Sequence, residues 1–205
     1  MKGLLIKDFY MAKKHFILFL IIPYVTLILS FVAKSLFWAN NFIFILSLIP
    51  VYIMAIDEMY KWNKYEAFLP ISKASAVLEK YVLLLISILP YMLIYTILLI
   101  FFKQDIQTII SEFSILLFMG TVIPSILLPI VFKSGYVKAK TITLVFIALY
   151  MAITVVINAE SAQLNELIIG IYAPREKSYI NAIIAVVLFG ISMLLSISFY
   201  KKREF

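Results

Sequence analysis

The residues able to do chemistry are few, and their types exclude most enzymes. The chain has no cysteine and one histidine, His15. Neither thiol chemistry nor a multi-histidine zinc site can be assembled from that set. His15 follows Lys13 and Lys14, where a structural or interfacial role is the plain reading. A serine could meet it in the fold as a nucleophile, but no nucleophile motif marks one. The five glycines are isolated. No glycine-rich turn followed by Lys and Ser or Thr is present, so the phosphate cradle of a P-loop ATPase is missing. Any ATP-driven work therefore needs another polypeptide. Asp57 and Glu58 are adjacent acids at the edge of an apolar run, where they fit a boundary or loop. Tyr24, Tyr91 and Tyr95 carry hydroxyls into apolar stretches, and Tyr91 and Tyr95 share a helical face. They could line a path for an amphipathic substrate or bond within a helix bundle, the simpler alternative.

The elements that must position these residues are membrane helices. Of 205 residues, 64% are hydrophobic and 14% charged, and the mean hydropathy is +1.07. A soluble domain of this size needs a more polar surface. Six apolar runs, at 16–33, 41–56, 81–102, 113–132, 141–157 and 179–200, are each near the length that crosses a bilayer as a helix. The first follows a basic start, as in a signal peptide, but it is long for one and lacks a convincing cleavage site. A retained first helix is expected. Within the spans charge is almost absent, which argues against an ion-driven relay. Pro23, Pro50, Pro90, Pro124 and Pro129 fall in or near spans and can kink them. Gly120 and Gly190 could permit close helix contacts, though neither sits in a GxxxG motif.

The net charge of +7 would raise nucleic acid as a partner in a soluble protein. Here the basic residues sit between spans and set topology instead. They crowd the N-terminus (Lys2, Lys7, Lys13, Lys14), the second loop (Lys61, Lys64, Lys73, Lys80), the fourth loop (Lys133, Lys138, Lys140) and the C-terminus (Lys201, Lys202, Arg203). Only Lys34, Lys103, Arg175 and Lys177 fall on the other side. The positive-inside rule then places both termini in the cytoplasm.

Three segments between spans carry pattern. At 1–14, Leu5, Phe9 and Ala12, continued by Phe16, recur at helical spacing, as in an interfacial helix lying on the head groups. At 57–80, Met59, Trp62, Tyr65 and Leu69 follow a rough helical stripe, and Asp57 and Lys61 are spaced as an i,i+4 pair. Pro70 redirects the chain, and Ser72 can cap a short helix through Glu79. Such an element could dock on a soluble partner through Trp62, Tyr65 and Phe68, steered by its charges. It could equally pack on its own bundle. At 158–178, Leu164, Leu167, Ile168 and Ile171 suggest a short amphipathic segment on the outer side.

The segment DEMYKWNKYEAFLPISKASAVLEKY, with the opening MKGLLIKDFY, resembles small bacterial ABC-2-type transporter permeases. The resemblance rests on Asp57-Glu58, Trp62, Lys64-Tyr65, Leu69-Pro70-Ile71-Ser72 and Glu79-Lys80-Tyr81. Within that class the chain is similar to permeases of peptide exporters, those of phenol-soluble modulins among them. The resemblance implies an all-α permease of six transmembrane helices filling 1–205, with an N-terminal elbow helix and a cytoplasmic coupling helix. It implies export of hydrophobic or amphipathic peptides or other small amphiphiles across the bacterial cell membrane. The chain itself would be non-catalytic. Two copies of a cytoplasmic ATP-binding subunit would bind ATP and Mg, and a second permease chain, identical or not, would complete the transporter in the lipid. Coupling to the ATPase would fall on Asp57, Glu58, Trp62, Lys64, Tyr65, Phe68, Pro70, Ser72, Lys73, Glu79 and Lys80. The competing function is a non-transporting assembly, immunity or sensor protein. A membrane enzyme is a further alternative.

Overall fold

The computed structural model describes residues 2–32, 37–66, 68–158 and 179–202. These form helices α1 (Lys2–Val32), α2 (Phe37–Ser47), α3 (Ile49–Met59), α4 (Trp62–Glu66), α5 (Lys73–Phe101), α6 (Ile106–Ser134), α7 (Tyr136–Asn158) and α8 (Tyr179–Lys202). Beyond Asn158, the outer segment expected at 158–178 lies outside the described residues. By length and composition, Phe42–Met59, Lys73–Phe101, Ile106–Ser134 and Tyr179–Lys202 can each cross a membrane, and Ile21–Val32 of α1 is a shorter apolar stretch. Among the described residues there is no strand. This is the expected outcome in lipid, where a helix satisfies its own backbone.

Local chemistry sets the helix boundaries. Ser72 caps α5, its hydroxyl accepting the Ser75 N–H at 3.1 Å, as its position before the apolar run suggests. The helix it starts does not stop near Glu79 but runs unbroken to Phe101, because no Pro or Gly intervenes before Pro90 to end it. Asp105 caps α6 through the Thr108 N–H. Gly135 ends α6 with φ 81° and ψ 161°, a conformation essentially restricted to glycine. Pro50, near the start of α3, follows a turn at Leu48 that separates α2 from α3. Proline has no N–H to offer the carbonyl four residues back, here that of Leu46. The Ser87 hydroxyl of α5 stands 3.2 Å from that oxygen and 2.8 Å from the Leu84 carbonyl, so one proton serves both. A neighbouring helix thus compensates the break.

Packing holds the bundle, since lipid removes most of the hydrophobic drive between membrane helices. Leu27, Ile43, Leu46, Leu84, Ile88, Met92 and Leu116 form the core where α1, α2, α5 and α6 meet. Gly120 lets α6 approach α2: a Cβ there would stand 3.2 Å from the Ile43 side chain. Gly190 has open space around it, so it serves no such contact. The most extensive helix pair is α6 with α8. α8 buries a stripe of mostly small residues, Asn181, Ala185, Ser192 and Ser196, ending at Tyr200. Its other faces expose Ile183, Val187, Ile191 and Leu194, as suits contact with acyl chains.

Residues 2–32 form one continuous helix that leads directly into the first apolar run. Its buried N-terminal face is Leu4, Asp8 and Ala12, while Phe9 is exposed. Two local expectations in the second loop are corrected. The stripe Met59, Trp62, Tyr65, Leu69 is not one helix, because Lys61 takes φ 57° and turns the chain between α3 and α4. That turn also dissolves the Asp57–Lys61 pair, and Asp57 finds its partners on other helices.

Candidate functional site

Three helices converge at one end of the bundle around a buried charge cluster. α1 contributes Lys7 and Asp8, α3 Asp57, and α5 Glu79 and Lys80. The Lys80 ammonium donates to Asp8 at 2.5 Å and Asp57 at 3.0 Å, and lies 3.3 Å from Glu79. Lys7 donates to Asp57 at 2.6 Å and pairs with Asp8 at 2.9 Å. It also stands 4.5 Å from the centre of the Trp62 ring. The sequence places Asp57 at a boundary, but the structure buries it within α3, at 4% exposure, with Asp8 at 0%, Glu79 at 1% and Lys80 at 6%.

Such charges are tolerable only because they neutralise one another, since an isolated buried ion costs several kcal/mol or more. Burial pushes the Asp8 carboxyl up, but a hydrogen bond with Glu79 and the charges of Lys80 and Lys7 outweigh it and hold Asp8 below its usual range. Beside the cluster lies a cavity of ≈ 30 Å³ lined by Lys7, Asp57, Glu66, Lys80 and Tyr136, room for one or two waters. Among the described residues, no group of acids or histidines is arranged to hold a metal ion.

Three further contacts fasten α7 and α8 to this end. Glu58 caps α7, its carboxylate accepting the N–H of Tyr136 and, at 3.3 Å, that of Val137. A carboxylate there satisfies orphan donors and complements the positive end of the helix dipole. The Tyr200 hydroxyl donates to Glu66 at 3.3 Å. Burial raises the Glu66 carboxyl above its ordinary range, against the opposing influence of Lys80 and Tyr200. Lys73 donates to the Lys201 carbonyl at 3.2 Å.

The residues singled out from sequence therefore divide into two groups. Asp57, Glu58, Glu79 and Lys80 hold helices to one another, and Trp62 lies against Lys7. Tyr65 at 64% and Phe68 at 89% exposure stand outward, with Pro70, Ser72 and Lys73 also exposed. Lys64 lies in α4; its side chain is outside the described ones. Sequence inspection missed Lys7, Asp8, Glu66 and Tyr200. The available signal was Asp8 lying i+4 from Leu4 and i−4 from Ala12, one charge on an otherwise apolar face.

The tyrosines inside the bundle are brought together. Tyr24 and Tyr91 meet edge to face at 5.8 Å between ring centres. Tyr95 packs on Phe31 and donates to Glu112 at 3.1 Å. Tyr91 and Tyr95 are fully buried. A second knot joins Tyr81 of α5 to Ser192 and Ser196 of α8 at 2.6 and 2.7 Å.

A helical membrane chain with a charged, aromatic-tipped end matches what comparison with known families finds. The family model described as ABC-2 family transporter protein matches residues 3–201. No curated protein and no solved structure matches the chain significantly. The family supplies the multi-pass membrane subunits of ABC transporters, which pair with an ABC ATP-binding subunit and do not themselves carry the catalytic site. The chain belongs to the ABC-2 family of transporter proteins.

Proposed function

We propose that this chain is the permease subunit of an ATP-driven exporter of hydrophobic or amphipathic peptides or similar small amphiphiles, and that the cluster end couples it to the ATPase. The observation that carries the coupling role is that the segment exposing Tyr65 and Phe68 begins at Trp62, which lies against Lys7 of a buried ion cluster joining α1, α3 and α5. A partner pressing on that segment acts on all three helices at once, because the charges cannot separate without large cost. Export then follows from a shift between two packings of the bundle, driven by ATP and Mg held in the partner.

Six crossings fit this arrangement, with the basic end in the cytoplasm of a bacterial cell and both termini there. The contacts Lys7–Asp57, Lys80–Asp8, Glu58–Tyr136 and Tyr200–Glu66 gather the α1 start, α3 end, α5 start, α6–α7 junction and α8 end on one side. Peptides and small amphiphiles are the cargo suggested by the resemblance of the 57–81 segment to the permeases of peptide exporters. Two permease chains, identical or paired with a relative, would complete the pathway, with Tyr24, Tyr91 and Tyr95 near it only if the bundle opens.

The test is co-purification in nanodiscs with ATP-binding proteins of the same cells, followed by ATPase assay. Phe68→Asp and Tyr65→Asp should abolish partner retention while membrane insertion persists. Full folding with no bound ATPase, in material that preserves such complexes, would favour the non-transporting alternative.

A further inference from the structure

Next to the cluster's cavity, across Glu58, which lines both, a groove of ≈ 1060 Å³ opens between the α6–α7 junction and the end of α8. Ile130, Ile142 and Phe199 are among the apolar residues that line it, and Lys133 and Lys138 among the polar ones. Lys133 sits 5.3 Å from the centre of the Phe199 ring. Among the described residues, neither lysine has a carboxylate within ion-pair distance. The one acid lining the groove, Glu58, is committed to the first N–H groups of α7. The groove therefore offers two lysines with no direct ion-pair partner among the described residues, above an apolar floor.

Its position decides the occupant. α6 ends at Ser134 and α7 begins at Tyr136, so both lysines lie within a turn of the end of an apolar helix, level with the head groups. From Lys138 the exposed face of α7 continues through Ile142, Val145 and Leu149. Charge at the rim and an apolar track running along the span match a phosphate head with acyl chains, not a free anion or a wholly apolar molecule.

We infer that this groove is a binding site for an anionic phospholipid, its phosphate held by Lys133 and Lys138 and its acyl chain laid against Ile130, Ile142 and Phe199. The site does not depend on the transport reading or on which leaflet it faces.

The test is native mass spectrometry of the full-length protein in detergent, titrated with phosphatidylglycerol, phosphatidylcholine or inorganic phosphate. Wild type should retain one phosphatidylglycerol in preference to phosphatidylcholine. Lys133→Gln with Lys138→Gln should weaken that retention roughly 30-fold, about fivefold for each lysine. Both lysines are at the surface, so folding should persist, and a thermal melt checks it. Lys13→Gln with Lys14→Gln, two exposed lysines of α1 that do not line the groove, is the control and should leave retention within about twofold. Equal retention in the groove variant and wild type would overturn the site. So would an equal loss in the control, which would mean general surface charge, or competition by inorganic phosphate alone, which would mean a simple anion site.

Discussion

Lys80 and Asp8, 72 residues apart in sequence, meet at 2.5 Å in the interior and tie the start of α5 to α1. Asp57 completes the contact from α3 at 3.0 Å. Removing Lys80 leaves the two buried carboxylates of Asp8 and Asp57 sharing Lys7 alone, with one negative charge uncompensated. Lys80→Met should therefore destabilise the bundle by about 3–5 kcal/mol. Combining it with Asp8→Asn should cost clearly less than the two changes added, as for residues in one network. Thermal or denaturant unfolding in micelles checks both. Strict additivity would show that the two groups do not act as a pair.

Glu58 links α3 to α7 across 78 residues of sequence. Glu58→Ala should cost about 0.5–2 kcal/mol, the usual range for a lost N-terminal cap. The loss should be local. Hydrogen exchange at Tyr136 and Val137 should accelerate, with the cores of α5 and α6 unchanged. Protection retained at both amides would remove Glu58 as the cap.

Ser87 and Pro50 give a sharper test, because the hydroxyl substitutes for a donor that proline lacks. Ser87→Ala should cost about 0.6 kcal/mol, the mean for a hydrogen bond between membrane helices. A Pro50→Ala background restores a backbone N–H at that position, available to the Leu46 carbonyl, and that cost should shrink. A double-mutant cycle measures the difference. An unchanged cost would mean that the Ser87–Leu46 contact adds nothing.

Glu66 should make stability depend on pH. Burial raises its carboxyl, so the folded state favours the neutral form. Its contribution is greatest below the ordinary Glu range and is lost as pH rises through the raised value. Asp8, held low, runs the other way: its contribution is present above the ordinary Asp range and disappears only in stronger acid. Glu66→Gln isolates the first effect. The melting temperature of the variant, relative to wild type, should climb as pH rises from acid toward neutral. A flat difference would show that Glu66 is not strained by burial.

Apolar length made the membrane helices legible in the sequence, and Ser72 announced the start of α5. What the sequence hid follows from tertiary contact. The cluster draws its five ionisable groups from 7–8, 57 and 79–80, and no local pattern joins residues so far apart. Asp57 therefore looked like a loop acid, and its obvious neighbour Lys61 proved to be turned away by the chain reversal between α3 and α4. Asp8 was overlooked because its apolar neighbours Leu5 and Phe9 formed a convincing stripe one position off the buried face. The outward aromatics Tyr65 and Phe68 were visible in sequence, but the cluster that Trp62 of the same segment touches through Lys7 was not.

On this reading the Tyr65–Phe68 turn meets the ATP-binding subunit. Because the chain contains no cysteine, Tyr65→Cys and Phe68→Cys provide single labels without further engineering. Crosslinking each to the co-expressed ATPase in native membranes is the most direct measurement. Both positions should give crosslinks to the ATPase that change with ATP, while Phe101→Cys, at the far end of α5, should give none. A complex that hydrolyses ATP and transports, yet yields no crosslink at 65 or 68, would contradict the coupling role of this end of the bundle.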